Sequence, residues 1–77
     1  MKYFQTSDFP LSTTLISNGF KLDHIDRSDI SRVQFCFERS EELDENVQAF
    51  WRGDLRIEPK TFCVNQKLLK SQLYSQS

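Results

Sequence analysis

His24 is the single histidine of this 77-residue chain, and Cys36 and Cys63 are its two thiols. Imidazole-based proton transfer near neutral pH would have to run through His24. Paired with either cysteine, that ring would support a thiolate nucleophile. Nothing in the sequence specifies such a contact, so a structural, half-exposed histidine is the favoured reading. Asp23, Asp26 and Asp29 recur at every third residue. Calcium loops want carboxylates at alternate positions and a glycine at the sharp turn. The three aspartates are therefore assigned to turn formation and solvation. Gly19 and Gly53, the only glycines, both fall where helices should stop, which leaves no Gly-rich loop to cradle phosphate. With no catalytic or metal constellation complete, the expectation is a non-enzymatic protein without a cofactor.

Binding is the better-supported class. The formal net charge is −1, far from the basic excess that drives non-specific nucleic-acid binding. The charge is uneven, however. Residues 38–51 hold five acidic side chains and one basic, whereas residues 52–77 hold five basic and two acidic. Helix-dipole complementarity is the bland explanation; a basic C-terminal face that meets an acidic partner is the sharper one. Arg52, Arg56, Lys60, Lys67 and Lys70 are the candidates for a phosphate-facing surface. Trp51, Arg52 and Arg56 are the candidates for a protein contact, because Trp and Arg are over-represented at binding hot spots. The bland alternative for Trp51 is a half-buried ring that caps the core.

The elements that position these residues can be read from pattern. Ser40 is a good N-cap, and Glu41, Glu42, Asp44 and Glu45 follow it at the positive end of a helix dipole. Leu43, Val47, Phe50 and Trp51 form an apolar stripe, and Gly53 supplies the stop. Ser40 to Gly53 thus reads as the central amphipathic helix. Before it, Tyr3 and Phe4 mark a short strand, and Thr6-Ser7-Asp8 starts a helix that ends at Gly19. Thr13-Thr14 is poor helix material, so packing must hold that segment. Phe20, Leu22 and His24 alternate with charged residues as one strand face, and Val33, Phe35 and Phe37 do so in RVQFCFE. A polar loop from Asp26 to Ser31 makes these two an antiparallel hairpin. Leu55 and Ile57 suggest a short edge strand, and Pro59 opens a last helix. Ser75 to Ser77 should fray.

The opening YFQTSDFPLSTTLISNGFKL, the strand RVQFCFE, the segment VQAFWRGDLRIEP and the closing LLKSQLY cover nearly the whole chain. In that order and spacing the chain resembles a family of short proteins of bacteria and their phages, catalogued only as a domain of unknown function. Pro10 and Thr13-Thr14 look less helix-friendly than the apolar residues expected in relatives. No activity, ligand or catalytic residue comes with the resemblance. What it implies is a small intracellular module, an accessory protein of phage or mobile-element origin.

The expected fold is a single α+β domain over residues 1–77, in the order β-α-β-β-α-(β)-α, with helices on one face of a small antiparallel sheet. Its expected core is Phe9, Leu15, Phe20, Leu22, Phe35, Phe37, Leu43, Val47, Phe50 and Leu69. The N-terminus lacks the apolar stretch of a signal peptide, and no apolar run approaches the ~20 residues of a membrane span. Two unpatterned cysteines fit a reducing, cytoplasmic setting. The expected function is a binding or adaptor module for a protein partner, with nucleic acid as the alternative and a homodimer left open.

Overall fold

The computed structural model describes residues 2–29 and 31–75. The chain runs β1 (Tyr3–Thr6), α1 (Phe9–Ser17), β2 (Leu22–Asp26), β3 (Gln34–Glu38), α2 (Glu41–Arg52) and α3 (Pro59–Ser75). The strands form one antiparallel sheet in the order β1-β3-β2, and the helices pack on one of its faces. This is the expected α+β architecture. The optional strand at Asp54–Ile57 does not form; that stretch joins α2 to α3 without ladder partners. Ser75, expected to fray, is instead the last residue of α3; the fraying expected at Gln76 and Ser77, and Ile30 of the hairpin loop, lie outside the described residues.

Helix α1, rather than α2, is the centre. Leu11, Ser12, Thr13, Thr14 and Leu15 are all buried, and five consecutive residues sample the full circumference of a helix. The sheet lies on one side of it, and α2 and α3 pack against the others. The fully buried hydroxyls of Ser12 and Thr13, and that of half-buried Ser17, are tolerable because the helix satisfies them itself. Ser12 Oγ donates to Asp8 O at 2.9 Å, Thr13 Oγ1 to Phe9 O at 3.0 Å, and Ser17 Oγ to Thr13 O at 2.8 Å. No buried side-chain polar atom among the described residues lacks a partner. Pro10 sits in the first turn, where no intrahelical N–H is needed, and Asp8 Oδ1 caps that end by accepting from Leu11 N at 3.0 Å.

Gly19 closes α1. Its φ is +96°, Gly19 N donates to Ile16 O at 3.0 Å and Phe20 N to Leu15 O at 3.0 Å, the paired bonds of a Schellman stop. Phe20 then packs against the core, as its place after the stop predicts. Helix α2 ends in the same way at Gly53 (φ +77°), with bonds from Gly53 and Asp54 to Phe50 and Ala49. Ser40 Oγ caps its start by accepting from Leu43 N at 3.1 Å.

The buried apolar core is Leu11, Leu15, Phe35, Phe37, Leu43 and Leu69, with Phe9, Phe20, Leu22, Val47 and Phe50 partly buried around it. All ten expected core residues therefore touch the core, and Leu11 joins them. Phe35 and Phe37 are covered by helices, so they cannot stack bases. A β-bulge changes the other expectation. Leu22 pairs with Phe37, His24 with Cys36 and Ile25 with Phe35, which leaves Asp23 as the extra residue. Leu22 and Ile25 both point inward, and His24 faces outward rather than sharing Leu22's face.

The stop at Gly19 gives a direct test. An added Cβ meets no atom within 4 Å, so Gly19→Ala isolates the backbone term. It should cost about 1 kcal/mol in chemical denaturation, and Gly19→Asn clearly less, because Asn tolerates the left-handed region.

Candidate functional site

The bulge brings together residues that regular alternation would separate. His24 and Cys36 become cross-strand neighbours on the outer face of the sheet. Asp23 Oδ2 lies 2.6 Å from His24 Nδ1. The rings of Tyr3 and His24, from the two edge strands, meet edge to face with centroids 5.3 Å apart. Gln5 Nε2 donates to Cys36 Sγ at 3.5 Å, and the thiol points to Gln34 O at 3.9 Å. Beneath this cover Cys36 is fully buried. An Asp–His–Cys set is thus assembled by one pair of sequence neighbours and one cross-strand residue, but the sulfur has no route to a substrate. His24 makes no hydrogen bond to it among the described residues.

The remaining aspartates and the α3 start are engaged locally. Asp26 Oδ1 accepts from Ser28 Oγ at 2.7 Å and Ser28 N at 2.9 Å, and Asp29 Oδ1 does the same for Ser31 at 2.8 and 3.0 Å. The Ser28 hydroxyl and backbone bonds hold the Asp26 carboxyl below its ordinary range. These are the turn roles expected from sequence. No group of three or more metal-ligating side chains converges among the described residues. Glu58 caps α3 ahead of Pro59, its carboxylate accepting from Thr61 Oγ1 at 2.8 Å, Thr61 N at 2.8 Å and Lys60 N at 3.2 Å. The hydroxyl of Thr61, then the backbone bonds, push the Glu58 pKa below the usual glutamate range.

Two open grooves flank α3. One, about 540 Å³, runs along the β2 edge past Asp23, His24, Arg27, Gln72 and Ser75. The other, about 470 Å³, is more apolar, with Ile16, Phe20 and Leu68 among its walls and Lys21 at its lining. They meet at Leu22 and Gln72. Neither gathers an acid–base set beyond the Asp23–His24 contact.

The basic candidates divide into two groups. Lys60, Lys67 and Lys70 are exposed on α3 together with Cys63 and Tyr74. Positions 60, 63, 67, 70 and 74 alternate steps of three and four, so they form one stripe along the helix. Arg52 instead ties to Asp54 at 2.8 Å, and Arg56 is exposed in the α2–α3 connection. Trp51 is 64% exposed, more open than a half-buried cap, with its ring edge to face on Phe50 at 5.1 Å. Tyr74 is 73% exposed. Sequence reasoning missed Tyr74; its place two heptads after Lys60 was the available signal.

The fold is thus a three-stranded antiparallel sheet with three helices on one face, and its polar clusters serve turns and caps. The chain belongs to the family described as a domain of unknown function, DUF5659, whose model matches residues 1–75. Comparisons with curated proteins and with solved structures give no match. No helix of the described residues is long and apolar enough to cross a membrane.

The thiols should differ sharply. In the native protein Cys63 should react with a thiol reagent much faster than Cys36, which should react only on denaturation. Two equally fast thiols would contradict the closed outer face. The Glu58 cap makes a separate prediction. A carboxyl with a depressed folded pKa stabilises the fold above its unfolded pKa, and that stability is lost as pH falls through the folded value. Glu58→Gln should therefore lower the thermal midpoint at neutral pH. It should also narrow the wild-type decline in acid.

Proposed function

We propose that the chain is a non-enzymatic binding module whose contact surface is the outer stripe of α3 with the exposed end of α2. The observation that carries this reading is the charge on α3. Its three lysines are exposed, the helix contains no acidic residue, and its last turn holds no basic one. Helix-dipole complementarity favours cations in the last turn, yet Lys60 stands in the first turn and Lys67 and Lys70 in the interior. Ion pairing within the chain does not account for them either, since the three salt bridges among the described residues use no lysine. Exposed Trp51 and Tyr74 add the aromatic area that binding surfaces favour. The buried Cys36 supports a non-catalytic role.

The partner class is an acidic protein surface. The second reading, a nucleic acid, is favoured by the same lysines with Tyr74, whose ring can stack on a base; the net charge of −1 counts against it. Two free thiols are in keeping with a reducing cytoplasm. The resemblance to short bacterial and phage proteins supports an accessory role in such a setting.

The test is a low-salt titration against single- and double-stranded DNA, RNA and polyglutamate, repeated with Lys60, Lys67 and Lys70 all changed to Gln. Binding that weakens with salt and disappears in the triple variant is expected. Capture of polyglutamate alone selects the protein partner, and capture of DNA or RNA the nucleic acid. Failure of the monomeric chain to bind any probe overturns the assignment of this surface.

A further inference from the structure

The acidic surface that matches the α3 stripe is present on the same chain. On α2, Glu41, Glu45, Gln48 and Arg52 are all exposed; their spacing of four, three and four residues makes an outward stripe whose N-terminal half is acidic. Helices α2 and α3 both pack on α1. Their surplus charges do not meet within the chain: the ion pairs among the described residues join His24 to Asp23, Arg39 to Asp44 and Arg52 to Asp54. Each protomer therefore displays Glu41 and Glu45 on the outer start of α2 and a basic stripe on α3, and neither set is used in an ion pair among the described residues.

We infer that the partner of the α3 stripe is the α2 stripe of a second copy, in a two-fold dimer where each chain gives both faces; this rests on the reading of α3 as the contact surface. A two-fold axis repeats every contact, so α2 against α3 of the partner brings α3 against its α2. With the two helices antiparallel, Glu41 and Glu45 face Lys67 and Lys70. At the other end of α2, Gln48 then lies against Cys63, and Arg52, whose charge Asp54 already meets at 2.8 Å, lies near Lys60, with Trp51 bordering that end. Antiparallel helix dipoles add to the same arrangement. An interface of this kind forms readily at low ionic strength and weakens as salt screens the exposed charges.

Sedimentation at low and high salt tests this on wild type, Lys67→Glu/Lys70→Glu and Glu41→Lys/Glu45→Lys, with helicity checked by circular dichroism. Wild type should be dimeric at low salt and dissociate at high salt. Each double variant alone should be monomeric, because like charges then face each other. An equimolar mixture should regain the dimer, since the acidic α3 of one variant meets the basic α2 of the other. Cys63 should be slower to alkylate in every dimeric sample. If Glu41→Lys/Glu45→Lys loses helicity at the α2 start, the α3 variant and the wild-type salt series still decide. A wild-type monomer that nevertheless captures polyglutamate overturns the dimer and keeps the α3 reading. A monomer that captures nothing overturns both. A dimer indifferent to salt and to both variants belongs to another face and overturns the inference.

Discussion

A helix enclosed on all sides carries fully buried hydroxyls most cheaply where its own backbone takes their hydrogen bonds, and α1 does this at Ser12 and Thr13. Ser12, Thr13 and Ser17 return their hydroxyls to carbonyls one turn earlier, while Leu11 and Leu15 supply the apolar contact. A nine-residue helix with two threonines would not persist alone. Full burial of a leucine stabilises by about 1.5–3 kcal/mol, so packing replaces propensity here. The small hydroxylated side chains have a second effect: they leave room for α2 and α3 to settle against the same short helix. Side-chain bridges then join the layer, Asn18 to Asn46 of α2 at 2.7 Å and Asn65 of α3 to Ser17 at 3.1 Å.

Much of this was legible because local signals agreed. Ser40, the Leu43–Val47–Phe50 stripe and Gly53 each point to one helix, and α2 has those bounds. The primacy of α1 was not legible, since a helix buried all round has no polar face and so no clean stripe. Its hydroxyl run reads as weakness until the back-bonds are seen. Asp54–Ile57 failed for a different reason. Alternation of Leu55 and Ile57 with charges satisfies the pattern of a strand, but a strand also needs a ladder partner, and that choice is made by tertiary structure.

The outer face of the sheet shows the same division between local and long-range information. Alternation correctly set Cys36 opposite Phe35 and Phe37, and it put His24 on the wrong side because it could not see the bulge. One clue was present: Leu22 and Ile25 are three apart, so both can reach the core only if the strand gains a residue between them. Burial of Cys36 had no local signal. It depends on Tyr3 and His24, distant in sequence, closing over β3.

Surface charge is the part of the chain that folding leaves unspent. The core needs only one face of each outer helix, and α1 is the element both of them share. Acidic residues at the start of α2 have a cause within the helix, because they meet its dipole. The lysines of α3 have none: they lie away from its last turn and make no salt bridge among the described residues. A near-neutral chain can carry such opposed helix faces without large self-repulsion, which at high net charge would destabilise the compact state. Near-neutrality also removes the repulsion that keeps strongly charged proteins apart. The arrangement is therefore compatible with a stable monomeric fold and favourable for association, and what decides between them is whether the two stripes meet face to face.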